Sequence, residues 1–286
     1  MTAKILNGLA AAARVQANVQ SSVSKLREAG IEPCLATILV GNDPSSAIYV
    51  RNKQKAAEAA GILTRDHKVS SGCTQAELQE LVKRLNRDST VNGILIQLPL
   101  PSHLDEFSIL GVLDPLKDVD CLTPYNAGLL MSGKATLKPC TPSGILALLD
   151  FHNIDISSLD VTIINRGPLV GKPLVFLLLE RNATVTICHS KTKGLNEKIK
   201  GADVLISAVG NRKDFVITSN MVKFGSIIID VGITRFEGKL AGDVDFQNVK
   251  EVAEWITPVP GGVGPMTISM LLANTVAAST LCKAVI

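Results

Sequence analysis

Aromatic side chains are scarce in this chain of 286 residues: Phe, Tyr and Trp together make up 3%. A core must therefore be packed from Ala, Val, Ile and Leu, and the 46% hydrophobic content supplies them. Metal-ligand spacing is missing as well. The cysteines Cys34, Cys73, Cys121, Cys140, Cys188 and Cys282 contain no CxxC pair, and the four histidines no HxxxH pair. No metal site or redox dithiol is expected, and the thiols read as free groups of a reducing compartment. A net charge of +3 with no long basic run argues against nucleic acid as a partner. The longest apolar runs, residues 174–179 and 268–276, are too short to span a bilayer, so no membrane partner is expected.

What is present is a chain long enough for two modest domains or one large α/β unit. Residues 1–27 carry Lys4, Arg14, Lys25 and Arg27 and no acid, loosely like a transit peptide. The spacing of Leu6, Leu9, Ala13, Val19, Val23 and Leu26 reads instead as an amphipathic first helix ending at Gly30. From there strands and helices alternate. Strands are expected at residues 34–40 and 93–98 and helices at 46–60 and 74–86, the latter opened by a Thr74/Glu77 capping box. Residues 114–142, rich in Pro, Gly and polar residues, read as an irregular passage to a second α/β block. That block has strands at 161–165, 184–188, 204–208 and 226–231, and helices at 143–152, 172–181 and 195–200. The rhythm is that of a mostly parallel sheet.

Near the C-terminus, Pro and Gly fill six of the eleven positions 257–267. Pro258, Pro260 and Pro265 stiffen this segment, and Gly261, Gly262 and Gly264 open it to positive φ, so a shaped loop is expected and neither helix nor central strand. Such a loop is a tight connector ahead of a last helix at 268–282, or a surface where a flat ligand meets bare backbone N–H groups.

The strand at 161–165 runs into Arg166-Gly-Pro-Leu-Val-Gly171 and a helix, and free amides at a helix N-terminus attract phosphate. The full G-x-G-x-x-G fingerprint is absent, since only Gly167 and Gly171 occur, so a plain βα turn is the competing reading. At the end of the next strand, Cys188-His-Ser-Lys-Thr-Lys193 contains no acid to bind a ribose 2′-OH. Ser190 and the Arg166 cation would welcome a 2′-phosphate, which favours NADP over NAD at such a site. His189, Lys191 and Lys193 read equally well as surface residues.

In the first half, Tyr49 and Lys53 are four residues apart on a predicted helix and share a face. A ring beside an amine can hold a planar heterocycle while the amine moves protons, provided the lysine is partly desolvated. The same spacing is common on exposed helices. Gln97, at a strand end before Leu98 and Pro99, carries an amide able to fix such an amine or a water. Asp120 offers a carboxylate matched to the N–H donors of an aminopyrimidine ring. A capping amide and an exposed acid are the plain alternatives.

The segments Tyr49-Val-Arg-Asn-Lys53, Gln97-Leu-Pro99, Asp118-Val-Asp120, Pro139-Cys-Thr-Pro142, Val170-Gly171-Lys-Pro173, Asp230-Val-Gly-Ile233 and the Pro/Gly loop recur in a specific order and spacing. Together they resemble the bifunctional methylenetetrahydrofolate dehydrogenase/cyclohydrolase family over essentially the whole chain. The resemblance implies an α/β fold of two domains with a cleft between them. One is a catalytic, folate-binding domain of residues 1–140 plus 268–286; the other is a Rossmann-like NADP-binding domain of residues 141–267. It implies NADP-dependent oxidation of 5,10-methylenetetrahydrofolate to the 5,10-methenyl cation, then hydrolysis to 10-formyltetrahydrofolate.

By the same resemblance Lys53 transfers protons in the hydrolytic step, Gln97 adjusts it, Tyr49 stacks on the folate and Asp120 anchors its pterin ring. Leu98, Pro99, Pro260, Gly261 and Gly262 line the folate. Asn165, Arg166, Gly167, Ser190 and Ile233 hold the cofactor. A cytoplasmic homodimer is implied, an organellar form being left open. A dehydrogenase without hydrolysis and a non-catalytic nucleotide-binding scaffold are the alternatives. Two positions depart from the pattern. The phosphate turn, usually Gly-Arg-Ser, is Asn165-Arg166-Gly167, and Cys121 follows Asp120 where glycine is usual.

Overall fold

The computed structural model describes residues 2–284, with Ser45 and Ala284 described in their backbone alone. In chain order the first half contains β1 (Lys4–Ile5), α1 (Gly8–Glu28), β2 (Cys34–Val40), α2 (Pro44–Ala59), β3 (Leu63–Val69), α3 (Gln75–Arg87), β4 (Gly93–Ile96), α4 (Glu106–Leu110) and α5 (Pro124–Met131). There follow α6 (Cys140–Phe151), β5 (Asp160–Ile164), α7 (Gly171–Leu179), β6 (Thr184–Cys188), α8 (Leu195–Gly201), β7 (Val204–Ser207) and β8 (Ile227–Asp230). The chain closes with β9 (Thr234–Phe236), β10 (Lys239–Ala241), α9 (Phe246–Val249), β11 (Trp255–Ile256) and α10 (Val263–Ala284). Two compact units result. One comprises the residues up to Ala12 with Thr141–Thr267; the other comprises Ala13–Cys140 with the chain from Ile268 onward.

The Ala13–Cys140 unit is built on a parallel sheet in the order β3-β2-β4. Every residue of β2 is buried, as its unbroken apolar run requires of a central parallel strand. Strand β3, Leu-Thr-Arg-Asp-His-Lys-Val, was not expected. It lies at the sheet edge, exposed or half-buried throughout, so its sequence carries little apolar alternation. Helix α3 opens with the expected box: the Thr74 hydroxyl accepts from Glu77 N at 3.2 Å, and Thr74 N donates to the Glu77 carboxylate at 2.8 Å. Its far end is closed by Lys117, whose buried ammonium donates to the carbonyls of Leu85, Asn86 and Asp88 at 3.1, 2.7 and 2.8 Å. Burial draws the Lys117 pKa down, and the three carbonyls keep the ammonium hydrogen-bonded.

Helix α10 corrects the loop expectation. Its first residue is Val263, so Gly264, Pro265, Met266 and Thr267 are already helical. Pro265 is tolerated because it sits in the first turn, where an N–H has no intrahelical acceptor. By length and composition α10 could also cross a membrane. Its Leu271, Leu272, Thr275 and Ala278 are nevertheless buried, in a core shared with Val19, Val23, Leu35 and Leu95 for the apolar members. Helix α1 starts at Gly8, and Val19 and Val23 face the core as its pattern requires; Leu9, counted to the same face, is 64% exposed.

The Thr141–Thr267 unit carries a six-stranded, all-parallel sheet in the order β1-β11-β8-β7-β5-β6. Strand β1 pairs with β11, which ties the first residues of the chain to this unit. From β5 the chain winds outward to β6 and then back past β5 to β7. The strand order therefore reverses between β5 and β7, the position at which open α/β sheets bind ligands beyond their carboxyl ends.

Candidate functional site

In the Ala13–Cys140 unit the site begins on α2. Asp43 caps that helix by accepting from Ser46 N at 2.7 Å, and Pro44 pre-sets its first turn. Tyr49 and Lys53 follow one turn apart. Tyr49 is 40% exposed, and partial burial pushes its hydroxyl pKa up. Lys53 is buried, with 8% of its surface exposed. Its ammonium donates to Gln97 Oε1 at 3.1 Å. Gln97 is fixed in turn by its Nε2, which donates to the Leu98 carbonyl at 2.7 Å just before the cis Leu98–Pro99 bond. That second bond leaves the amide oxygen, rather than the NH₂, facing the amine.

Asp118 and Asp120 differ in kind. Asp118 is buried and accepts from Leu122 N, Thr123 N and Asn126 Nδ2 at 3.0, 2.8 and 2.9 Å. It shapes the turn, although burial raises its pKa. Asp120, half-buried, is left with its carboxylate beside the Cys140 thiol. Lys53 lies close enough to lower the Cys140 pKa, against a larger rise from burial, which joins Lys53, Gln97, Asp120 and Cys140 in one cluster.

Two members of this cluster were missed in the sequence. Cys140 donates to the Val119 carbonyl at 3.3 Å. Asn274, buried on α10, donates to Val119 O and Lys138 O, each at 2.8 Å, and binds the strands of chain around Asp120 and Cys140 together. A lone amide in the middle of a largely apolar helix was the available signal. Cys121 has φ +57, in the left-handed region, which accounts for glycine being usual there. Its thiol is buried, and burial holds it protonated.

In the Thr141–Thr267 unit, β5 ends at Ile164 and the chain turns into α7. The Asn165 side chain is consumed in building this turn. Its Oδ1 accepts from Gly167 N at 2.7 Å and Gly171 N at 3.1 Å, and its Nδ2 donates to the Ala208 carbonyl at 2.6 Å. Asn165 thus spans the β5–β7 reversal. Gly171 has no room for a Cβ against the Asn165 carbonyl. Arg166 and Ser190 are exposed, and Ile233 is 40% exposed. His189 serves its own turn, Nδ1 accepting from Lys191 N at 3.1 Å.

Pro260, Gly261 and Gly262 belong to this unit too. Gly261 has φ +103, and Gly262 is packed against Pro258 and Thr257 and, through its carbonyl, against Gly8. Of the three glycines expected to use positive φ, Gly262 and Gly264 do not; for Gly262 it is space that excludes a side chain. Among the described residues, no cluster of three or more His, Cys, Asp or Glu is placed to hold a metal.

Residues 6–120 match the catalytic domain of tetrahydrofolate dehydrogenase/cyclohydrolase, and residues 139–283 match its NAD(P)-binding domain. The chain belongs to the tetrahydrofolate dehydrogenase/cyclohydrolase family. Among its relatives, the bifunctional protein FolD of Nitrosopumilus maritimus is 52% identical over 281 residues, 98% of each chain. The crystal structure of the bifunctional FolD methylenetetrahydrofolate dehydrogenase/cyclohydrolase from Campylobacter jejuni matches with a TM-score of 0.94 at 44% identity, over 97% of this chain and 99% of that one. The Trypanosoma brucei dehydrogenase-cyclohydrolase, solved with NADP and an inhibitor, matches with a TM-score of 0.91 at 35% identity, over 100% and 99%.

The residues of this tetrahydrofolate dehydrogenase/cyclohydrolase chain fit a bound NADP. The turn after β5 offers amides at the α7 N-terminus, and its close packing against Asn165 keeps side chains out. No carboxylate follows β6 before Glu197, while the Arg166 cation stands exposed.

Proposed function

We infer that this enzyme oxidises 5,10-methylenetetrahydrofolate to the 5,10-methenyl cation with NADP⁺ and hydrolyses that cation to 10-formyltetrahydrofolate. The observation that carries the reading is the buried Lys53 amine, its Nζ donating to Gln97 Oε1, within a chain that belongs to the family from end to end. NADP⁺, when bound, supplies the hydride acceptor. Everything else is done by side chains. Tyr49, exposed on one face, stacks on the folate, and Asp120 takes the N–H donors of the pterin ring. Leu98 and Pro99, just past β4, border it, and Pro260, Gly261 and Gly262 cover it. Lys53 takes the proton from the water that adds to the cationic carbon, and Gln97 sets the direction of its amine. Arg166 and Ser190 receive the 2′-phosphate, while Asn165 and Gly167 shape the turn and Ile233 supports the nicotinamide end.

On this reading the catalytic domain is residues 1–140 with 268–286 and the NADP-binding domain residues 141–267, except that β1 groups its first residues with the second. The substrates are tetrahydrofolate derivatives, with no nucleic acid or membrane partner, and the enzyme works as a cytoplasmic homodimer. A dehydrogenase that had lost hydrolysis would have no use for a desolvated lysine oriented by a glutamine.

The test is Lys53→Met, assayed with 5,10-methenyltetrahydrofolate and no nucleotide. Hydrolysis should fall about 100-fold or more, the usual worth of a positioned acid–base group, while folate affinity stays within a few-fold. Unchanged hydrolysis removes Lys53 from this role.

A further inference from the structure

Two buried carboxylates in the Thr141–Thr267 unit have no part in the chemistry above. Asp230 ends β8 and is 3% exposed; Asp243 follows β10 and is fully buried. Among the described residues neither forms an ion pair, Arg212 donating instead to the Gly242 and Val244 carbonyls on either side of Asp243. Asp243 Oδ2 accepts from Ser207 Oγ at 2.7 Å and Val209 N at 2.8 Å, and its Oδ1 accepts from Gly210 N at 2.9 Å. Asp230 Oδ1 accepts from Gly232 N and Asp243 N, both at 3.0 Å, and its Oδ2 accepts from Val244 N at 2.9 Å. Burial pushes Asp230 up to about 6, against the opposing effect of its N–H donors.

The six donors lie in three segments: the end of β7 with the loop after it, the loop after β8, and the chain following β10. The first two leave the carboxyl ends of adjacent parallel strands, where this fold binds ligands. Glycine is required where the segments meet the acids, since a Cβ on Gly232 would strike the Asp243 carboxyl group and one on Gly242 the Asp230 carboxyl group. A further bond ties the first two loops to each other, Thr234 Oγ1 donating to Gly210 O at 2.6 Å. Each of these loops turns an apolar side chain outward: Val209 is 39% exposed and Ile233 40%. A rigid backbone frame thus presents apolar side chains at the sheet's binding edge, apart in sequence from Arg166 and Ser190, which follow β5 and β6.

We propose that Asp243, supported by Asp230, is a positioning residue for hydride transfer, holding the loops that carry Val209, Gly210 and Ile233 in the geometry that seats the nicotinamide ring. It acts through backbone amides and does not touch the cofactor. A carboxylate is needed because only an acceptor with two free oxygens satisfies three converging donors; an Asn in its place turns an NH₂ toward one of them. The proposal rests on the NADP-dependent reading of this site.

The experiment compares the wild-type protein with Asp243→Asn. In the variant, dehydrogenase kcat should fall on the order of 10- to 100-fold, the cost of a misplaced reacting group. Affinity for adenosine 2′,5′-bisphosphate, which lacks the nicotinamide, should stay within about threefold by calorimetry, and nucleotide-free cyclohydrolase activity within about twofold. Amide hydrogen exchange at Val209 and Gly210 should quicken in the ligand-free variant. An unchanged kcat overturns the proposal, as does a parallel loss of bisphosphate binding and hydrolysis, which would mark general damage to the fold. Should Asp243→Asn not fold, Ser207→Ala removes one donor and leaves the carboxylate in place. It should give the same selective loss, a few-fold in size, with faster exchange at Val209; no selective loss there overturns the proposal. A wild-type protein that binds the bisphosphate yet shows no NADP⁺-dependent turnover sinks the functional reading instead.

Discussion

Single residues in this protein owe their meaning to what surrounds them. Asp118 and Asp120 are two positions apart, yet one is spent on three hydrogen bonds inside the fold and the other is kept beside the Cys140 thiol. Asn165 reads as a ligand residue in the sequence, and its side chain holds the turn together. Cys121 stands in left-handed backbone with its thiol buried and held protonated, a state in which sulfur is neither nucleophile nor metal ligand. Cys121→Ala should therefore keep both activities within about twofold. It should cost about 1 kcal/mol of stability in urea unfolding, since a buried sulfur is lost while the left-handed strain remains. Complete loss of either activity would make the thiol catalytic.

At the scale of elements, the β5–α7 turn is the clearest case of a side chain building a backbone site. Asn165→Ala removes two acceptor bonds and one donor bond at once. NADP⁺ affinity should weaken about tenfold, as the net loss of one or two hydrogen bonds implies. Nucleotide-free hydrolysis should not change. Calorimetric titration checks this, and undiminished affinity would show that the turn keeps its shape without the amide. The legibility of elements in the sequence followed burial. β2, β5, β7 and β8 announce themselves as apolar runs because both faces of a central parallel strand are covered, and β4, though at its sheet's edge, is buried throughout. β3 did not, being a charged edge, and β1 and β11 are two-residue strands defined only by their pairing. The start of α10 was obscured because proline and glycine argue against a helix everywhere except in its first turn. Lys53 and Gln97 could be named from spacing and resemblance; that Gln97 offers its oxygen, and that Asn274 and Cys140 brace the same cluster, needed coordinates.

For the molecule as a whole, the proposed function draws on both compact units: a buried amine oriented by an amide in one, a helix-N-terminal turn and a braced apolar edge in the other. On the proposed reading, oxidation and hydration both depend on orientation, dryness and one proton carrier. The account stands or falls on one protein performing both steps. The direct measurement mixes purified protein with 5,10-methylenetetrahydrofolate and NADP⁺, and follows reduced nicotinamide and the methenyl chromophore separately. The account predicts steady NADPH formation with no lasting methenyl signal, because the cation is hydrolysed as it forms. NADPH formation with methenyl accumulating in equal amount would contradict it, leaving a dehydrogenase alone.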